Sequence, residues 1–172
     1  QGLELLAPLA KRGFRLIAVS RFGYLRTPFP ADVSPAAQAD AHAGLLDALG
    51  IERAAIFGVS AGGPSAMQFA IRHRQRSAAL ILMAPMAYRP MESAASAPKL
   101  SPLTEKLLLT IVGSDFAFWL TAKLAPSLVV KTVMGTPPEI VAAVSSGEQM
   151  RVSRFTQRIL PISARVQGII HD

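Results

Sequence analysis

Hydrophobic positions in this chain fall into short unbroken blocks separated by stretches of helical spacing. Phe14 to Val19, Ala54 to Gly58 and Ala78 to Ala84 are apolar at nearly every position and bounded by turn residues. Blocks of that length and density predict strands buried on both faces. Helical spacing occupies the segments between them. Leu3 to Gly13 predicts a helix closed by its glycine, with the Phe14 strand following at once. Ser34-Pro35 predicts a helix start, serine as cap and proline in the first turn. That helix runs to about Leu49, with Ala39, Leu45, Leu46 and Leu49 on its apolar side, and Gly50 ends it. Ala61 to His73 predicts another. Strands alternating with helices imply an α/β fold, with a parallel sheet covered on both faces.

Beyond Met86 the pattern changes. Tyr88 to Pro102 is rich in Ala, Ser and Pro and has no sustained period, which predicts a linker or entry loop. Helical stretches follow over about Pro102 to Val112, Ser114 to Met134 and Pro137 to Ile159. Ser114-Asp115 caps the second, and Pro126 breaks or kinks it. In Thr136-Pro137-Pro138-Glu139, threonine is the expected N-cap of the third, with Glu139 at its third position. The division that results is a partial α/β core over 1–85 and a helical region over 86–172.

Composition narrows the classes. With 172 residues, 51% of them hydrophobic, the chain has material for a core and is not intrinsically disordered. It has no cysteine, which removes disulfides, thiolate catalysis and cysteine-ligated metals. The net charge of +7 comes from arginines scattered over several elements, among them Arg72, Arg74, Arg76, Arg151, Arg154, Arg158 and Arg165. They are not interleaved with aromatics and form no nucleic-acid motif, so no nucleic-acid partner is expected. Asp115, Lys123 and Lys131 break the apolar helical region into pieces too short for a membrane span. The first residue is Gln1, so a targeting segment upstream would not be seen here. The compartment is unassigned, with the cytoplasm as the default expectation, and no oligomeric state is legible.

The candidate chemistry sits in Phe57-Gly58-Val59-Ser60-Ala61-Gly62-Gly63-Pro64. It places a serine in a Gly-x-Ser-x-Gly pattern directly after a predicted strand and before a predicted helix. A serine hydroxyl is a poor nucleophile unless a sharp turn exposes and aligns it. Such a turn requires an unfavourable backbone conformation at Ser60. It also brings strand and helix too close for a Cβ at Gly58 and Gly62. Three aromatics of the helical region, Phe116, Phe118 and Trp119, are expected to pack between its helices, with an acyl pocket as the other role. For Met83, Met86 and Met91, core filling is expected before a pocket wall.

These residues, with Gly13 to Thr27 upstream and Ala78 to Pro85 downstream, resemble the middle of an α/β-hydrolase. The resemblance covers the fourth strand and its loop, a helix, the fifth strand, the elbow, a helix and the sixth strand. The loop after the fourth strand departs from the family pattern Asp-x-x-Gly-x-Gly-x-Ser. Ser20 stands for the aspartate, Leu25 for the second glycine and Thr27 for the serine. The resemblance implies a partial parallel sheet of a hydrolase core with a helical cap. It makes Ser60 the nucleophile and the Ala61 backbone N–H half of an oxyanion hole. The other half and the third strand would precede Leu3. The third strand would lie between Phe14–Val19 and Ala54–Gly58, leaving a slot, while the fifth and sixth strands pair directly. The family's acid and histidine would follow strands beyond this sequence. His42, His73 and His171 do not replace the histidine, His171 with Asp172 included, and Glu92 is a remote candidate for the acid.

The implied activity is cleavage of an ester or related acyl bond in a small molecule through an acyl-serine intermediate. No cofactor and no metal are implied. A cofactor-free haloperoxidase, a C–C hydrolase or an acyltransferase could use the same elbow. A hydrolase-like binding module without turnover is the rival from another class. Relatives with aspartate at the elbow, dehalogenases and epoxide hydrolases, do not fit Ser60.

Overall fold

The computed structural model describes residues 6–86 and 101–171. They group into two compact units, one of residues 21–86 with 170–171 and one of 6–20 together with 101–169.

In the first unit, helix α2 (Pro35–Ala48) begins where the sequence places it. Ser34 Oγ accepts the Ala37 N–H at 3.1 Å, and Pro35 has no N–H to leave unsatisfied. The Ser34 N–H in turn donates to Asp32 Oδ1 at 2.8 Å, a bond that lowers the Asp32 pKa. Gly50 ends the helix at φ +63°. The chain then forms β1 (Ala54–Val59), a 3₁₀ turn (Ser60–Gly62), α3 (Gly63–Arg72) and β2 (Ser77–Met83). The two strands pair in parallel, with Ile56 opposite Leu80, Phe57 opposite Ile81 and Gly58 opposite Leu82. The core is the seam between the two helices and β1. Ala39, Ala43 and Leu46 of α2 pack with Phe69 of α3, against Ile51, Ala54 and Ile56. Phe69 is fully buried, so truncation to alanine would cost about 3–5 kcal/mol.

Three sequence expectations fail here. Burial of the sheet on both faces is not seen among the described residues. Ile56 and Gly58 face α3, whereas Ile81 and Met83 on the opposite face are 45% and 40% exposed. Leu49, placed on the apolar side of α2, is also exposed. Phe14–Val19, expected as the fourth strand, forms no strand, and among the described residues the sheet consists of β1 and β2. A strand persists only when a neighbour takes up its ladder of N–H and C=O groups. No described segment does so for Phe14–Val19, and Phe14 remains 61% exposed.

In the second unit, helix α1 covers only Ala7–Ala10, shorter than the Leu3–Gly13 helix expected, and residues 3–5 lie outside the described ones. Gly13 follows at φ +87°. Helix α4 (Pro102–Gly113) matches its pattern. The stretch from Ser114 splits, as Pro126 dictates, into α5 (Asp115–Leu124) and α6 (Pro126–Met134), whose axes differ by 115°. The last stretch is also two helices, α7 (Pro138–Ala143) and α8 (Ser146–Gln157), not one. Val144 is extended, and Ser145 Oγ caps α8 by accepting the Glu148 N–H at 3.4 Å. The Ser145-x-x-Glu148 spacing is a capping signal that the expectation of one long helix overrode. Thr136 is not the cap of α7. Its hydroxyl donates back to Met134 O at 3.2 Å, and Pro137 takes the cap position, leaving Glu139 at the second helical residue.

The second unit has its own core of Phe118, Val129, Ile159 and Ile162. Asp115 fastens the start of α5 to the 3₁₀ turn Ser163–Arg165, accepting from the Ser163 N–H at 2.9 Å and the Ser163 hydroxyl at 2.8 Å. Those bonds lower the Asp115 pKa. A final helix, α9 (Val166–His171), belongs to this unit up to Ile169.

Candidate active site

The sharp turn expected at Ser60 is present. Ser60 has φ +47°, in the left-handed region, and its side chain is exposed between the end of β1 and the start of α3. A non-glycine residue held there costs on the order of 1–3 kcal/mol, and neighbouring contacts must enforce it. Gly58 is one of them. A Cβ there would lie 2.7 Å from Ala66 Cβ and 3.2 Å from Gly62 O. The second close approach is not at Gly62, as the sequence suggested, but at Gly63. Nothing lies within 4 Å of a Cβ built on Gly62, whereas one on Gly63 would sit 2.5 Å from Pro85 Cβ. Strand and helix therefore touch at Gly58, and the helix start touches the segment leaving β2 at Gly63.

The backbone of the turn is pinned on one side. Ser60 O accepts the Gly63 N–H and, at 2.9 Å, the Met86 N–H. Because C=O and N–H point opposite ways across a peptide plane, the Ala61 N–H is aimed away from those bonds. It sits where a helix begins and its donors have no acceptor one turn back, so it is available to a developing negative charge. Ala61 O receives a hydrogen bond from Arg21 Nη1 at 3.0 Å.

Beside the turn is an open cleft of about 280 Å³, lined among others by Arg21, Phe22, Phe29, Gln38, Ala61 and Met86. Met86 is a wall residue here, and both it and Met83 are exposed rather than core. Met91 lies outside the described residues. Of the three aromatics in the helical unit, Phe118 is core. Phe116 and Trp119 stack on each other, with centroids 6.0 Å apart, on the surface.

The structure brings no base to Ser60 among the described residues. His73, at the far end of α3, is bonded through Nε2 to Asp40 Oδ1 at 2.7 Å. Asp40 also takes Arg72 in a two-pronged pair, the main reason its pKa is lowered, with His73 second. His42 is half-buried on α2. Its Nε2 lies 3.2 Å from Gln38 Nε2, and Gln38 Oε1 accepts the Phe22 N–H at 2.7 Å. Since the amide nitrogen can only donate, His42 Nε2 accepts, and the ring is neutral with its proton on Nδ1. Burial, with a smaller contribution from Arg21, lowers the His42 pKa in agreement. Glu92 and Asp172 lie outside the described residues, as does the side chain of His171. Among the described residues no group of three or more His, Cys, Asp or Glu could hold a metal. No single helix there is long and apolar enough to cross a membrane.

Sequence reasoning missed Arg21, the Met86 N–H and Gly63. Arg21 meets Ala61 across forty positions of sequence, which no local pattern announces. The Gly62-Gly63 pair did carry a signal, because either glycine could have been the contact.

Comparison with known proteins agrees with this geometry. A family model described as alpha/beta hydrolase fold matches residues 3–130. A 2-hydroxy-6-oxo-6-phenylhexa-2,4-dienoate hydrolase of Comamonas testosteroni is 37% identical over 82 residues, 46% of this chain and 29% of that protein. A 2-hydroxymuconate semialdehyde hydrolase of Pseudomonas sp. (strain CF600) is 40% identical over the same share of each. An alpha/beta hydrolase fold protein from Nakamurella multipartita superposes with a TM-score of 0.62 at 28% identity, covering 95% of this chain and 56% of that one. The matches thus span under a third of the curated relatives' length and about half of the solved structure's. A model match over most of the chain, on a strand–turn–helix that carries a strained serine, places the chain in the alpha/beta hydrolase fold family.

Proposed function

We propose that this chain is the nucleophile-bearing part of a hydrolase that attacks a carbonyl carbon in a small molecule and breaks a carbon–carbon bond beside it. The observation that carries the reading is Ser60 at φ +47°, exposed, with the neighbouring peptide pinned through Ser60 O. Ser60 Oγ is the nucleophile, and the Ala61 N–H stabilises the negative charge that forms on the carbonyl oxygen. As the carbonyl re-forms, the carbon–carbon bond breaks with its electron pair on the departing carbon, which takes up the proton that Ser60 Oγ gave up; water then cleaves the acyl–Oγ bond, releasing a carboxylic acid and returning a proton to Ser60. The relatives' names favour a carbon–carbon bond, since they are hydrolases of 2-hydroxy-6-oxo-dienoates and of a semialdehyde. An ester presents the same electrophile, so ester cleavage is the second reading.

The 172-residue chain alone is inactive on this reading, because no described base meets Ser60 to raise its nucleophilicity. The test compares the chain with the protein that carries it, using 2-hydroxy-6-oxo-6-phenylhexa-2,4-dienoate and a p-nitrophenyl ester as substrates. The longer protein should release benzoate, and Ser60→Ala should lower kcat by about 10³-fold or more. Turnover that survives Ser60→Ala, or turnover by the chain alone, would overturn the assignment.

A further inference from the structure

We propose that Arg21 is a positioning residue for the turn. Its guanidinium holds the Ala61 carbonyl, and with it the Ala61–Gly62 peptide plane, so that the strained turn presenting Ser60 and the Ala61 N–H cannot relax. This rests on the reading of Ser60 and Ala61 given above.

A left-handed serine relaxes to an ordinary conformation unless its surroundings over-determine it. Two peptide planes flank the Ala61 Cα. The upstream plane is held at Ser60 O by the N–H groups of Gly63 and Met86. The downstream plane is held at Ala61 O by Arg21 Nη1, 3.0 Å away. With both planes fixed, neither dihedral of Ala61 is free. Removing the upstream bonds would disturb the strand exit itself, but the downstream bond comes from one side chain and can be removed alone.

Arg21 is itself held in place. Its guanidinium carbon lies 4.7 Å from the centroid of the Tyr24 ring, a cation–π contact that orients the planar group. The next residue, Phe22, donates its N–H at 2.7 Å to Gln38 Oε1, and Gln38 is buried on α2. The base of the arginine is thereby tied to the helix core and its tip to the turn. A charged donor makes the stronger kind of hydrogen bond to a carbonyl, and Arg21 also lines the cleft where substrate would enter. Lysine would keep the charge but lose the planar fork and the stacking geometry.

The experiment uses the hydrolase that carries this chain, with a p-nitrophenyl ester as probe and the variants Ser60→Ala, Arg21→Met and Arg21→Lys. Arg21→Met should lower kcat by about tenfold or more and change KM by a smaller factor, because the guanidinium borders the cleft but its hydrogen bond acts on the turn. Arg21→Lys should fall between Met and the native residue, which also covers the case in which Arg21→Met fails to fold. In ¹H–¹⁵N spectra of the same protein, the amides of Ala61 and Gly62 should move in Arg21→Met while those of α2 stay. A native kcat in Arg21→Met, with Ser60→Ala inactive, overturns the clamp and leaves the nucleophile standing. Unmoved Ala61 and Gly62 amides overturn it as well. Full activity in Ser60→Ala overturns the nucleophile, and the clamp's role with it.

Discussion

Leu25 sits at φ +56°, a backbone conformation that glycine takes without strain and leucine does not. It occupies the position of the second glycine in the loop pattern of its family, so the substitution visible in the sequence is paid for in the backbone. Leu25 is 48% exposed and contributes little burial in return. Leu25→Gly should therefore stabilise the fold by about 0.5–2 kcal/mol, the relieved strain less the extra freedom of the unfolded chain. A urea midpoint that falls in Leu25→Gly would show that the side chain packs more than its exposure suggests. Gly23, two residues earlier, has no such latitude. It is at φ +74°, and a Cβ there would lie 2.3 Å from the Phe29 ring. At this scale the candidate site was partly legible. A serine between glycines after an apolar run demands the strained turn, and the turn is there. Which glycine makes the second contact was not legible, because Gly62 and Gly63 differ only in what the segment after β2 places against them.

Elements were legible where the chain carries its own stop and start signals. Ser34-Pro35, Gly50, Ser114 and Pro126 each mark a boundary that the structure keeps, since caps and prolines act through local backbone chemistry. Phe14–Val19 has a strand's composition but no strand, because pairing is not a property of one segment. The pairing of α2 with the loop at Phe22 is likewise non-local, and it makes stability depend on pH. His42 has its pKa lowered from 6.5 in the folded state, so the unfolded chain binds more protons between the two values. Stability is then complete above about pH 6.5 and is lost as the pH falls from there through the lower folded value. Protonation would also set an N–H against the Gln38 amide and break that bond. Asp40, with its pKa lowered by Arg72 and then His73, loses its contribution in a lower window, below the usual carboxylate value of 3.8. Melting temperatures of the native chain should fall between pH 7 and pH 5, and His42→Asn should flatten that slope. An equal slope in both proteins would place the titration elsewhere.

At the scale of the whole chain, the sheet is the exposed feature. Among the described residues the parallel sheet has two strands and no further strand on either edge, and β2 is exposed at every position from Ala78 to Met83. Ile81 and Met83 stand on the face opposite α3, in register with Phe57 and Val59, so the open face is continuous and apolar. Edges and faces of this kind recruit other chains, because a second strand satisfies the free backbone groups and removes the apolar area from water. The net charge of +7 opposes association only weakly, since the basic side chains are dispersed and screened beyond roughly 8–10 Å at ordinary salt. The isolated 172-residue chain should consequently self-associate at micromolar concentration, increasingly so as salt is raised. Ile81→Lys adds a charge on the open face, where Ile81 is already 45% exposed. It should raise the monomer fraction while changing the melting temperature little. Sedimentation velocity at two salt concentrations reads both effects. A native chain that stays monomeric at high salt would mean that the open face is covered from within, and Ile81→Lys would then lower the melting temperature instead.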